Sequence, residues 1–212
     1  MSMLSILICL FILAVWLFAA AQHFLSAKKE TGWHRLTPVL ASLFLALGAL
    51  GFFGTALSST GGLNWLPKSF EWPVGSARGI VETTNHIFVV PHTPSGRIQL
   101  YDRNWKFIRG WHVDASGGVL DVFISEPGSI NVVTARGRRH YIYSLDGKLI
   151  SAERYPDNLY DSIPRIGISH SVPTAPWLWT FTSPFYSWLV AMLGMVMLIA
   201  KEKISSKSNG KK

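Results

Sequence analysis

The run Arg136-Gly137-Arg138-Arg139-His140 is the sharpest charged feature in the middle of the chain. Placed on a hairpin tip, three guanidinium groups can form planar, paired hydrogen bonds to a carboxylate, a phosphate or a lipid headgroup. Arg136, Arg138 and Arg139 are therefore the candidate contacts for an anion or an acidic partner. The simpler expectation for the same residues is a solvated turn whose charges guard a strand edge. His86, His92, His112 and His140 fall in the same region, but no pair has a metal-site spacing backed by a carboxylate. They read as turn or sheet-face histidines, and neither a metal nor a cofactor is expected. Gly167-Ile168-Ser169-His170-Ser171 is one residue short of a nucleophile elbow and lacks the strand-to-helix setting such a serine needs. Asp157 and Asp161 could share a helix face, yet beside Pro156 they read as turn acids. Neither glycine-rich nucleotide fingerprint, G-x-G-x-x-G or G-x-x-x-x-G-K-[ST], occurs. No catalytic residue is expected, and the balance leans away from an enzyme.

What positions these residues is set by three oily segments. From Leu36 to Leu57 no charge interrupts a run of Leu, Ala, Phe and Gly. At about 1.5 Å per residue, a helix of that length reaches the roughly 30 Å of a bilayer's hydrocarbon core. Met3–Ala21 and Ser183–Ala200 have the same character. The triplet Ala19-Ala20-Ala21 resembles a signal-peptide cleavage site. However, the amino end has no Lys or Arg, and Lys28, Lys29 and Arg35 lie on the far side, so the segment reads as a retained first helix. Thr37 looks like an N-cap with Pro38 as the first helical residue, and Ser183-Pro184 repeats that pattern. Ala41, Gly48, Gly51, Thr55 and Ser58 fall on one stripe of the second helix, a candidate face for close packing. Ala14 and Ala21 on the first helix offer a modest matching face, and Ser187, Ala191 and Gly194 give the third helix a small-residue face of its own. The lone cysteine, Cys9, excludes an intrachain disulfide, and Ile6, Leu7 and Ile8 before it do not fit a lipoprotein site.

The formal charge of +8 on 212 residues would suit a nucleic-acid binder until it is divided by region. The first loop carries +2 and the tail from Lys201 carries +4, whereas Ser59–Ala175 holds twelve basic and ten acidic residues. Positive charge beside apolar spans marks the cytoplasmic side and favours anionic lipid. The bilayer is thus the expected partner, and nucleic acid is not. The loop and the tail are expected to be cytoplasmic, with the amino terminus and the middle region outside. That makes a multi-pass protein of a cell inner (plasma) membrane.

From Ala77 the texture changes to short β-rich runs separated by turn residues. Eight strands are expected, at about 79–83, 86–90, 97–102, 107–113, 119–125, 129–135, 139–145 and 149–155. Ile98 and Leu100 alternate with Gln99 and Tyr101, which predicts one apolar and one polar face. Turns are expected at Asn85, Ser95-Gly96, Ser116-Gly117-Gly118, Pro127-Gly128 and Asp146-Gly147. Ile87-Phe88-Val89-Val90 returns 43 residues on as Ile130-Asn131-Val132-Val133. Gln99-Leu100-Tyr101-Asp102 with Lys106-Phe107-Ile108 returns 42 residues on as Tyr141-Ile142-Tyr143-Ser144 with Lys148-Leu149-Ile150. Four strands per repeat is the size of a β-propeller blade.

Residues 87–111, IFVVPHTPSGRIQLYDRNWKFIRGW, resemble a blade of the NHL-type propeller family, and 130–150 resemble it loosely. Trp105 stands where that family has a turn glycine, and Ser144 where it has Asp. The resemblance implies blade-like sheets and contact with a protein or ligand, and no catalytic residues. Two units are too few for a ring, which takes roughly four or more.

The expected fold class is membrane α plus all-β: three transmembrane helices with an inserted antiparallel β domain of about eight strands in two blade-like four-stranded units. The expected segments are helix 1 (1–25), a cytoplasmic loop (26–35), helix 2 (36–58) and a membrane-proximal linker (59–76). They continue with the β domain (77–155), a proline-rich connector (156–182), helix 3 (183–200) and a disordered tail (201–212). The expected role is a binding or assembly subunit of a membrane complex, engaging a protein partner or further copies of itself. The alternative is a membrane enzyme or transport component whose site a partner completes.

Overall fold

The structure, a computed structural model of the chain, describes residues 3–27, 33–155 and 167–209. It divides into two compact units, Thr55–Leu178 and Ser2–Gly54 with Trp179–Lys212.

The second unit is helical. α1 spans Met3–Ala27, α2 Trp33–Ser59 (its last turn belonging to the other unit) and α3 Pro184–Asn209. Arg35–Ser59 and Pro184–Lys203 are long and apolar enough to cross a membrane, while the apolar run of α1, Leu10–Ser26, is shorter. The start of α3 follows the capping chemistry, with the Phe185 N–H donating to Ser183 Oγ at 3.3 Å. The start of α2 does not. Its helix begins at Trp33, so Pro38 is interior rather than first and Thr37 is no cap. Proline there removes one backbone donor within the second turn, a cost a longer helix absorbs, and Ser42 Oγ donates to the Pro38 carbonyl at 2.7 Å. The tail is also corrected: α3 continues through Lys201 to Asn209 rather than ending at Ala200. Lys and Glu are good helix formers, and lysines suit the negative end of the helix dipole.

Small residues set how α2 and α3 pack. A Cβ on Gly48 would lie 2.7 Å from the Ala191 Cβ, and one on Gly194 would lie 2.7 Å from the Ala41 carbonyl oxygen. Gly51 approaches Thr180 and Ser187 as closely, and Ser187 Oγ donates to the Thr180 carbonyl. These backbones are too near for any larger side chain.

The first unit carries two antiparallel sheets. The first runs in the order β4-β3-β2-β1-β9, with β1 Ser76–Glu82, β2 Phe88–His92, β3 Arg97–Tyr101, β4 Phe107–His112 and β9 Ile168–Ser171. The second is the meander β5-β6-β7-β8, with β5 Leu120–Phe123, β6 Ser129–Thr134, β7 Arg139–Ser144 and β8 Leu149–Arg154. The described residues thus form nine strands where eight were expected. β9 comes from the segment expected to be a proline-rich connector, and it pairs with β1 through Ser76–Ser171, Ala77–His170 and Ile80–Ile168. Four residues leave too short a pattern to distinguish a strand from a loop.

One apolar core lies between the sheets. It joins Val89, Ile98, Leu100, Trp111 and Val113 of the first sheet and its flank to Leu120, Val122, Ile130, Val132, Tyr141 and Tyr143 of the second. A second core lies on the other side of the first sheet, around Val74, Ala77, Ile80, Val90, Tyr101 and Val172. All five residues of β3 are therefore buried, including Gln99 and Tyr101, which the alternation predicts on a solvent face. The cause is the segment 68–74, which crosses that face as a strap.

Candidate functional site

The β6–β7 hairpin carries the arginine run. Its turn is tied by Thr134, whose Oγ1 accepts from the Arg139 N–H at 3.2 Å and donates to the Arg139 carbonyl at 3.3 Å. Arg138 adopts a left-handed backbone, φ +48°, and its carbonyl accepts from the Tyr155 N–H at 3.2 Å. Arg136 is anchored from the neighbouring loop, its Nη1 donating to the Ser116 carbonyl at 3.4 Å. A Cβ on Gly118 would lie 2.6 Å from the Arg136 Cβ, so the loop fits against the hairpin only because that residue is glycine. Arg136, Arg138 and Arg139 are all exposed. The β7–β8 register then places Arg154, also exposed, directly opposite Arg139. Cross-strand partners have Cβ atoms about 5 Å apart, and like charges so placed are destabilising. Four arginines thus converge on one end of the second sheet, a surface suited to carboxylate or phosphate oxygens. Arg154 is missed by sequence reasoning, because only the strand register brings it to the hairpin.

A second polar feature lies beneath the strap. Arg97 Nη2 donates to the Phe70 carbonyl at 3.2 Å. Gln99 accepts from the Trp72 N–H at 2.6 Å and donates to the Trp72 carbonyl at 2.8 Å. The Tyr101 hydroxyl donates to Glu71 Oε1 at 3.1 Å, and burial, reinforced by the Glu71 charge and that hydrogen bond, pushes the phenol well above its usual range. Each alternate residue of β3 therefore reads the strap. Arg97 is 1% exposed, and its Nε and Nη1 have no partner among the described residues. Opposite it in register stands His112, whose Nδ1 is likewise buried and unpartnered among them. Burial lowers the His112 pKa; Asp114 opposes this, Arg97 adds to it, and a hydrogen bond to Ser95 opposes it again. Burial also lowers the pKa of Arg97. As donors, these groups can serve a carbonyl, carboxylate or water oxygen.

The other candidate residues are dispersed. His86 meets Glu82 at 2.6 Å, His92 meets Ser95 Oγ at 2.7 Å, and His140 meets Asn131 Oδ1 at 2.9 Å. Among the described residues no group of three His, Cys, Asp or Glu could hold a metal ion. Ser169 and His170 lie in extended β9, where the His170 ring stacks on Trp105 with centroids 3.8 Å apart. Ala41, Gly48, Gly51, Thr55 and Ser58 are all buried, and the Ser58 hydroxyl donates to the Ser95 carbonyl at 2.7 Å. Asp157, Asp161, Lys28, Lys29 and Glu30 lie outside the described residues, as does the side chain of Cys9.

No protein-family model matches the chain, and no curated protein matches it either.

Proposed function

We propose that the chain is a three-span protein of a bacterial-type inner membrane, and that its β unit is displayed outside as a binding or assembly module. Its arginine-lined end grips an acidic protein partner, while the lysine-bearing tail and first loop stay in the cytoplasm. The observation that carries this reading is the direct opposition of Arg139 and Arg154, beside Arg136 and Arg138. Holding like charges face to face costs stability, and an oppositely charged partner would offset that cost. Support for the membrane setting comes from the large apolar side chains that the helices leave exposed. They include Phe11, Val15 and Phe18 on α1 and Phe185, Trp188 and Val196 on α3. A soluble protein rarely shows so large an apolar surface.

The test is a photo-crosslinking residue in place of Arg136 in intact cells. A discrete adduct should form, and Arg139→Glu with Arg154→Glu should abolish it while the protein remains in the membrane. An adduct of unchanged yield after charge reversal would remove the proposal, and an adduct of twice the chain mass would make the partner a second copy. Protease added to spheroplasts should cut the β unit; protection there, with cutting in inverted vesicles, would reverse the orientation.

A further inference from the structure

β8 is the outer strand of the second sheet, with β7 on one side and no described strand on the other. Every residue of it except Ser151 is exposed. The direction of its backbone groups follows from the ladder. The Tyr155 N–H donates to the Arg138 carbonyl, one step beyond the Arg139–Arg154 pair. Residues of an antiparallel ladder turn their amide and carbonyl alternately toward the partner strand and away from it. Ser151, Glu153 and Tyr155 therefore bond to β7, while Ala152 and Arg154 point to the open side. Arg139 agrees with this, because its N–H and carbonyl meet Thr134 Oγ1 on the β6 side. The β7–β8 bulge lies beyond Ser151 and leaves this end of the edge regular.

The first repeat shows what such an edge receives. Gly110 stands on β4 as Ala152, 42 residues on, stands on β8, pairing with Gln99 as Ala152 pairs with Tyr141. The Gly110 N–H donates to the Lys68 carbonyl at 2.8 Å, so a stretch of the chain's own backbone occupies that edge. The matching amide of Ala152 has no acceptor among the described residues.

Charge selects the occupant. Leu120, Thr134, Arg139 and Arg154 form one row across the sheet, which puts both arginines on one face. Glu153 lies on the other face, opposite His140, and accepts from Ser151 Oγ at 3.1 Å. Asp114 is held in its own turn, its Oδ1 accepting from the Ser116 N–H at 3.2 Å. Neither acid is within ion-pair distance of Arg139 or Arg154, and two acids against four arginines leave this end positive.

We infer that the partner enters as an added strand, antiparallel to β8: an extended acidic segment whose backbone pairs with Ala152 and Arg154 and whose carboxylate extends the arginine row. The inference rests on the acidic-partner reading of the arginine cluster and says how that partner is held.

The experiment titrates a fluorescently labelled peptide of alternating Asp and Val into the full chain in detergent micelles. It should bind saturably. The residue opposite Arg154 turns its own amide to β8, so N-methylation of the Asp amides should weaken binding about tenfold, the size of one to two backbone hydrogen bonds. N-methylation of the Val amides should not. Proline is tolerated on an edge strand where its nitrogen faces outward. Ala152→Pro should therefore weaken binding as much while leaving the melting temperature nearly unchanged, whereas Glu153→Pro should lower it. Failure of the peptide to bind, equal binding of the two methylated peptides, or unfolding by Ala152→Pro would overturn the inference. So would a wild-type homodimer that Ala152→Pro dissociates, because the edge would then belong to a second copy. Charge reversal separates this from the parent reading. If Arg139→Glu with Arg154→Glu abolishes binding but the backbone changes do not, only strand addition fails. If binding survives the reversal, the acidic-partner reading fails with it.

Discussion

Trp105 and Gly147 occupy the same position of a duplicated hairpin, 42 residues apart, and both adopt a left-handed backbone, with φ +59° and +71°. The equivalence extends to the hydrogen bonds and the register around them. Asp102 N–H donates to the Lys106 carbonyl and Ser144 N–H to the Lys148 carbonyl, each at 3.0 Å. Both hairpins shift register at the same step, between Leu100 and Tyr101 and between Ile142 and Tyr143. In the second copy glycine is required, because a Cβ on Gly147 would lie 2.6 Å from the Trp111 ring. In the first copy an indole replaces it and stacks on Phe88 at 4.5 Å and on His170 at 3.8 Å. Those contacts hold β9 to the sheet and compensate a left-handed conformation that costs a side chain about 1 kcal/mol.

Trp105→Ala should therefore destabilise the β unit by about 2–3 kcal/mol, losing both stacks while keeping the strain. Trp105→Gly should cost about 1 kcal/mol less than Trp105→Ala, since glycine takes φ +59° freely. Thermal unfolding of the two variants decides this; if the alanine form were the more stable, backbone strain at this position would play no part.

The repeat, the strands from β3 to β8 and the turn glycines are legible in the sequence because period-two alternation and Gly or Asn at turns are local signals, whereas β1 and β2 lie two to three residues from the 79–83 and 86–90 expected. The fifth strand of the first sheet is not. Ile168–Ser171 acquires strand character from its partner β1 and from His170 lying on Trp105, and neither is visible within a few residues of the segment. The same holds for the arginine cluster. Arg136, Arg138 and Arg139 are adjacent in sequence and easily seen, while Arg154 joins them only through a register set by the β7–β8 bulge. Gln99 misleads for a related reason: its polarity reads as solvent exposure, but it serves the Trp72 backbone.

Arg97 and Gln99 should respond to substitution in opposite ways. Arg97→Met removes a buried cation whose Nε and Nη1 are unpartnered among the described residues, so stability should change by less than about 1 kcal/mol, or rise. Gln99→Met strips both partners from the Trp72 N–H and carbonyl and should cost about 2–3 kcal/mol. Chemical denaturation of the detergent-solubilised chain measures both. A larger loss at Arg97 than at Gln99 would mean that the guanidinium has a partner in solution.

His112 should make the protein acid-sensitive in a defined window. Burial, with a contribution from Arg97, lowers its pKa in the folded state, so the unfolded chain takes up a proton that the folded chain resists. Stability from this group is complete above the unfolded value of about 6.5 and is lost as pH falls through it, levelling off below the folded pKa. Wild-type melting temperature should fall more between pH 7 and 5 than that of His112→Gln, the two curves running parallel above pH 7.5. Parallel curves throughout would show that His112 titrates normally.

Gly48 should tolerate no larger side chain. Its Cβ would fall 2.6–2.7 Å from the Ala191 nitrogen and Cβ and the Ser187 carbonyl oxygen, backbone that cannot yield cheaply. Gly48→Ile should separate α2 from α3 and lower the melting temperature in detergent by several degrees, equivalent to about 2 kcal/mol or more. Leu43→Ile, at an exposed site on the same helix, is the control and should change little. Equal behaviour of the two would show that the close approach of α2 and α3 is not maintained.

Arg154 separates binding from stability. Arg154→Glu converts a like-charged cross-strand pair with Arg139 into an oppositely charged one, worth about 0.5–1 kcal/mol of added stability at low salt. The gain should shrink at high ionic strength, because both side chains are exposed and screened. The same substitution places a negative charge at the centre of the surface proposed to hold an acidic partner. The variant should therefore melt higher than wild type while forming less of the adduct made through position 136. A purely structural hairpin would gain stability with no change in adduct. A patch whose charges are already paired within the fold would lose stability instead, so the sign of the melting shift and the adduct yield together identify what these arginines are for.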